Sequence, residues 1–214
     1  MSEMRTEEEQ IEAMKKWWEE NGKQTLVAVV LVAGGWLGFN SYQDSQQATG
    51  EAASAVYQEM LTLSTSQTEE DKGQRAVLLD RIQSEYPSTV YAQFASLFKA
   101  KDAVEAGGLE LAEKELTSIV ANAKDDALKH TATVRLARVM IAAGKVDDAL
   151  ALLANDKVGA FEAEYQETTG DALLAKGDKD AARDAYSKAV VAAQRIGANN
   201  PVLQMKLDDL AVAN

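Results

Sequence analysis

The sequence contains no cysteine, which excludes disulfides, thiolate metal sites and thiol nucleophiles. That absence leaves the redox compartment open, because an exported protein need not carry disulfides. With a single histidine, His130, there is no multi-histidine metal site and little basis for a histidine-centred triad. Only two prolines occur, aromatics are 6% of the chain, and Val/Ile/Thr runs are confined to one segment. A sheet protein would be richer in those types. Basic residues are in deficit, 22 Lys+Arg against 34 Asp+Glu for a net charge of −12, so the footprint that nucleic-acid binding needs is missing. What remains is 46% apolar and rich in alanine, the composition of an acidic all-α protein.

Charge itself is absent from one stretch, the 20 residues 24–43, whose centre reads LVAVVLVAGGWLGF. As a helix rising about 1.5 Å per residue it would reach about 30 Å, the thickness of a bilayer's hydrocarbon core. Trp36 and Tyr42 would approach the far interface. A cleaved signal peptide would need a short basic start and small residues at its cleavage site. Here the preceding 23 residues carry seven acids, and Trp36 and Phe39 stand where cleavage would begin, so the expectation is a retained signal anchor. Arg5, Lys15, Lys16 and Lys23 precede it, and the next basic residue is Lys72. The positive-inside rule then places residues 1–23 in the cytosol, 24–43 across the membrane and 44–214 outside, in the periplasm of a bacterium. Gly34 and Gly38, four apart, share one side of that helix and are a candidate transmembrane contact. Before the anchor, Ile11, Met14 and Trp18 form one face of a short helix beside Trp17. Both a membrane-interface helix and a cytosolic docking element fit that face.

Residues 44–214 contain an internal repeat. Three segments align on a glycine, an alanine five residues later and a large apolar residue four after that: Gly107, Ala112 and Leu116; Gly144, Ala149 and Leu153; Gly177, Ala182 and Tyr186. The glycines are 37 and 33 residues apart. Each unit predicts a helix that ends at the glycine, a second helix beginning soon after, and a close seam allowed by the alanine. Ala100, Ala137 and Gly170 are the small residues of the first helices. The period and offsets resemble the tetratricopeptide repeat, best matched by Gly170, Gly177, Ala182, Tyr186 and Ala189. Glu51–Leu63 and Gln74–Tyr86 read as two leading amphipathic helices separated by Ser64–Gly73, with Pro87 stopping the second. Asn200-Pro201 reads as a cap and first-turn proline for a closing helix Val202–Val212. The expected fold is all-α: an N-terminal transmembrane helix followed by a tetratricopeptide-like helical-hairpin solenoid.

Catalytic chemistry finds no support. Asp126 and His130 are four apart and would share a helix face, but a third ligand is lacking and a surface or capping pair is expected. Asp147, Asp148, Asp178 and Asp180 lie early in second helices, where the helix dipole accounts for them. Gly107-Gly108 has neither a preceding strand nor a following GK[ST], so it is not a phosphate loop. No cofactor and no metal are implied. Projecting the repeat pattern instead gives a candidate protein-binding groove of Phe94, Leu97, Lys101, Thr131, Val134, Arg138, Glu164, Glu167, Asp171 and Leu174, several of which could equally be core.

Several ordered motifs carry a further resemblance: Trp17-Trp18-Glu19-Glu20-Asn21-Gly22-Lys23 before the anchor, Tyr86-Pro87-Ser88-Thr89, Asn122–Lys129, Arg135-Leu136-Ala137-Arg138-Val139 and Gly170–Asp178. Together they are similar to the YfgM family, the ancillary subunits of the bacterial SecYEG translocon. The resemblance implies a periplasmic tetratricopeptide-like domain on one inner-membrane anchor. It implies partners as well: the SecYEG translocon, the membrane-anchored periplasmic chaperone PpiD and newly exported client proteins. The residues alone also fit an envelope-assembly or cell-division adaptor built on the same repeats, and a hydrolase with an unrecognised site is the third reading.

Overall fold

A computed structural model describes residues 7–66, 68–154 and 157–210. Among the described residues every regular element is helical. The chain divides into two compact units, Met1–Ala52 and Ala53–Asn214. Helix α1 (Glu7–Leu63) contributes residues to both. The helices expected at residues 11–18 and Glu51–Leu63 are therefore parts of one element. Nothing in the intervening sequence stops it: both prolines lie beyond residue 63, and the glycines within it cost about 1 kcal/mol each without breaking a helix.

In the first unit the apolar side chains have no protein cover. Leu31 is 70% exposed, and Val30, Val32, Trp36 and Phe39 are exposed beside it. The helix is long and apolar enough to cross a membrane. The indole of Trp18 lies over Gly22, so close that a Cβ on Gly22 would sit 3.2 Å from the ring.

The second unit opens with the end of α1, against which α2 (Glu69–Glu85) and α3 (Val90–Glu105) pack through Val56, Met60, Leu79, Ile82 and Ala95. α2 begins five residues earlier than the hydrophobic pattern suggests. Thr68 caps it by accepting from the Asp71 amide at 3.2 Å, and Glu69, Glu70 and Asp71 complement the dipole of the first turn. A polar run thus forms helix because its polar groups sit where a helix start needs them. Arg75, buried, donates to both carboxylate oxygens of Asp102 at 3.1 and 2.9 Å and to the Leu63 carbonyl at 3.3 Å, tying α2 to α3 and to the end of α1.

Three helix hairpins follow, as the repeat spacing predicts: α3 with α4 (Leu109–Asn122), α5 (Asp126–Ala142) with α6 (Val146–Leu153), and α7 (Glu162–Lys176) with α8 (Lys179–Arg195). Gly107, Gly144 and Gly177 end the first helices with φ of 77°, 78° and 91°, a left-handed conformation that a Cβ disfavours. The alanines five residues on, Ala112, Ala149 and Ala182, are each 0% exposed in the seams. Leu116, Leu153 and Tyr186 fill the space above them. In the third hairpin the match is tightest: a Cβ on Gly170 would clash with the edge of the Tyr186 ring. A short 3-10 turn, Gly159–Phe161, leads into α7 and leaves no clear sequence signal. The closing helix α9 is Pro201–Asp209, capped by Asn200 accepting from the Leu203 amide at 3.1 Å. Ala211 and Val212, which the sequence pattern adds to that helix, lie outside the described residues.

Candidate functional site

The first helices of successive hairpins, α3 and α5, both pack on α4, and their side chains line an open cleft of about 380 Å³. Leu97, Lys101, Val104 and Glu105 come from α3, and Arg135, Arg138 and Val139 from α5. Ala100 and Leu116 form its floor; the small side chain of Ala100 permits the depression. A second hollow of about 310 Å³ shares Leu97, Lys101 and Arg135 with the first and adds Tyr57, Phe94 and Phe98. The two form one trough, aromatic at one end and basic at the other.

The aromatic end is a cluster of rings in mutual contact. Tyr57 packs on Tyr91, Phe94 and Phe98 with centroids 5.3, 5.8 and 6.3 Å away. Burial, with Tyr91 alongside, pushes the Tyr57 hydroxyl above its ordinary pKa. At the basic end Lys101 meets Glu105 at 3.2 Å, one turn along its own helix. Arg135 and Arg138 are three apart on an exposed face of α5.

Of the ten projected groove residues, Phe94, Leu97, Lys101 and Arg138 line this trough. Thr131 bonds its own helix, donating to the Ala127 carbonyl at 2.8 Å. Val134 turns into the core with Ala137, Ala149, Leu153 and Tyr165. Glu167 and Asp171 face α9, where Lys206 donates to both at 2.8 Å and the Tyr186 hydroxyl donates to Asp171 at 2.7 Å. Asn200 also reaches Glu167, at 3.4 Å. Glu164 and Leu174 are exposed on α7. The projection missed other lining residues, Arg135, Val104, Val139, Phe98 and Tyr57 among them. Arg135 follows from its i,i+3 relation to Arg138, whereas Tyr57 lies outside the three repeats and could be placed only by the fold.

The remaining polar groups have structural partners. Asp125, not Asp126, caps α5 by accepting from the Leu128 amide at 2.7 Å. His130 shares a 2.9 Å hydrogen bond between Nδ1 and the Tyr165 hydroxyl and stacks on Phe161. Asp178 caps α8, Asp180 pairs with Arg183 and Asp147 with Lys176. Among the described residues no three His, Asp or Glu side chains gather at metal-binding distance. In α1 the two candidate contact glycines, Gly34 and Gly38, are open: a Cβ on either would meet nothing within 4 Å.

Comparison with known proteins agrees with this architecture. Residues 15–212 match the family model of a tetratricopeptide repeat-like domain. A protein of Haemophilus influenzae named ancillary SecYEG translocon subunit is 33% identical over 95% of this chain and 97% of its own. Proteins of the same name from Aggregatibacter actinomycetemcomitans and Escherichia coli are 34% and 32% identical, over 95% and 96% of this chain and 97% of each of theirs. No solved structure matches. A tetratricopeptide-like match over nearly the whole length, together with relatives collinear from end to end, places the chain in the YfgM family of ancillary SecYEG translocon subunits.

Proposed function

We propose that the protein is a non-enzymatic, membrane-anchored scaffold of the Sec translocon. Residues 1–23 would lie in the cytosol, 24–43 would anchor it in the bacterial inner membrane, and 44–214 would form the periplasmic binding domain. Its partners would be SecYEG, a PpiD-type membrane-anchored chaperone and newly exported clients. The observation that carries this reading is the open trough across α3 and α5, which offers apolar, aromatic and cationic side chains together. Repeat scaffolds bind protein segments on such concave surfaces. The bare apolar face of α1, with Gly34 and Gly38 open on it, supports docking in the membrane, because in lipid small residues let helix backbones approach closely.

The test is photo-crosslinking in intact bacterial membranes from probes at Leu97 in the trough and at Gly34 in the anchor. Adducts with the translocon from Gly34, and with a chaperone or exported chains from Leu97, are expected. Recovery of neither, with envelope-assembly proteins in their place, would favour the adaptor reading. Protease applied from the periplasmic side should digest residues 44–214 and spare the N-terminal tail; the reverse pattern would overturn the topology.

A further inference from the structure

The repeat unit distributes its cations unevenly. Six arginines lie among the described residues, and four of them hold an acid: Arg75 with Asp102, Arg81 with Glu85, Arg183 with Asp180 and Arg195 with Glu162. The two without an ion pair among the described residues are Arg135 and Arg138, and both line the trough. In a chain with 34 acids against 22 bases, counter-charges are abundant, so leaving two neighbouring guanidiniums unmatched needs a reason. A guanidinium presents a planar fork that fits a carboxylate through two parallel hydrogen bonds. Beside these forks the trough holds Lys101 and Glu105, paired with each other, and the apolar Leu97, Val104 and Val139, with the Tyr57 aromatic cluster in the adjoining hollow; its lining carries three cations against one acid.

We infer that this trough selects an acidic–apolar peptide segment: a large apolar side chain seated on Leu97 and Phe98, with carboxylates beside it bridging Arg135 and Arg138. The inference rests on the groove-docking reading above and adds the chemistry of the partner. Charge complementarity chooses the occupant. The rest of the repeat surface is acidic and repels an acidic segment, so the trough is where such a segment gains most. A flat anionic lipid surface could reach the rim arginines but not the recessed floor of Ala100 and Leu116.

The test uses the full chain in nanodiscs of neutral phosphatidylcholine. Short synthetic peptides carry a central Phe-Leu pair flanked by Glu, Gln or Lys, and binding is read by fluorescence anisotropy at low and high salt. The Glu peptide should bind about tenfold more tightly than the Gln peptide and lose that margin as salt rises. Arg135→Gln with Arg138→Gln should bring the two peptides level, and Arg135→Glu with Arg138→Glu should invert the preference toward Lys. Both positions are exposed, so unchanged thermal melts are expected. Equal binding of Glu and Gln peptides, no binding of the Glu peptide, or a preference that survives the double substitution overturns the inference. Val104→Trp, at an exposed lining position, fills the cleft and separates the two levels of argument. If all peptides bind alike and all are lost in Val104→Trp, groove docking stands and acidic selection falls. If the Glu preference is intact in Val104→Trp, the groove reading falls and the inference with it. Arginine-dependent capture of phosphatidylglycerol vesicles without peptide binding would assign the cations to a lipid surface and overturn the inference as well.

Discussion

Between α3 and α5, Arg135 and Arg138 line an open cleft with no ion pair among the described residues, whereas on α7 Glu167 and Asp171 are held by Lys206 of the following helix. Both sets lie on first helices of repeats, and Arg138 and Asp171 hold the same place in the repeat, six residues before its glycine. What separates them is the helix that comes next to each. α9 brings a lysine, 30% exposed, over two acids, and Glu167 is only 9% exposed. Among the described residues neither arginine has an ion pair, and Glu105 of α3, which shares their cleft, is held by Lys101. Charge at equivalent repeat positions can therefore be spent within the fold or left for a partner, and only the neighbour decides.

The comparison can be broken at several points. The largest effect is expected where the third hairpin closes. Ala182→Glu places a carboxylate in a seam that is 0% exposed and should lower the stability of the repeat unit by about 4 kcal/mol, read from denaturant unfolding. An unchanged midpoint would disprove the seam.

Next comes Lys206→Ala. It strips two partly buried acids of their cation, and breaking such a pair in a buried setting costs several kcal/mol. Because the lysine is 30% exposed, about 2 kcal/mol is expected here. The same cluster should respond to alkali. Burial first, then the bond to Asp171, pushes the Tyr186 hydroxyl far above the ordinary tyrosine range. For Lys206, burial opposes the charged form, but hydrogen bonds to Asp171 and Glu167 outweigh it and raise the pKa. Both groups hold their protons more tightly in the folded state. The stability they contribute is thus complete below about pH 10, where free tyrosine and lysine titrate, and is lost as pH rises further. A pH series of thermal melts should be flat through neutrality at this cluster and fall in alkali, and Lys206→Ala should flatten part of that fall.

A smaller gain is expected at Thr168, whose buried hydroxyl has no partner among the described residues. Thr168→Val keeps the shape, removes the unsatisfied group and should add about 1 kcal/mol. Least of all should happen at the open trough: Arg135→Gln with Arg138→Gln should leave stability within about 0.5 kcal/mol, since neither side chain has an ion pair to lose among the described residues. Calorimetry of the four variants and the parent places them in that order, and a large loss from the arginine pair would mean that they serve the fold.

How much of this was legible beforehand follows from the range of each interaction. Gly107, Gly144 and Gly177 with their following alanines were readable because a hairpin seam is a local pattern, repeated three times in phase. The start of α2 was misplaced because apolar periodicity begins later than Thr68, whose capping role depends on a single hydroxyl. The Arg75–Asp102 tie spans 27 residues and the Lys206–Glu167 tie 39, and no spacing rule reaches that far. On α5 a rotation of one residue separates Val134 in the core from Arg135 in the trough, finer than a projection from glycine and alanine markers resolves.

The Lys206 cluster also sets an order in time. Synthesis runs from the N-terminus, so Glu167 and Asp171 leave the ribosome before the lysine that neutralises them. Until α9 follows, the third hairpin holds Glu167 and Asp171 beside Tyr186 without the ammonium of Lys206. The trough between α3 and α5 needs nothing from α9. It can close around its own core while the later hairpin is still waiting. The surface offered to a partner would then be finished before the end of the stack that merely seals it.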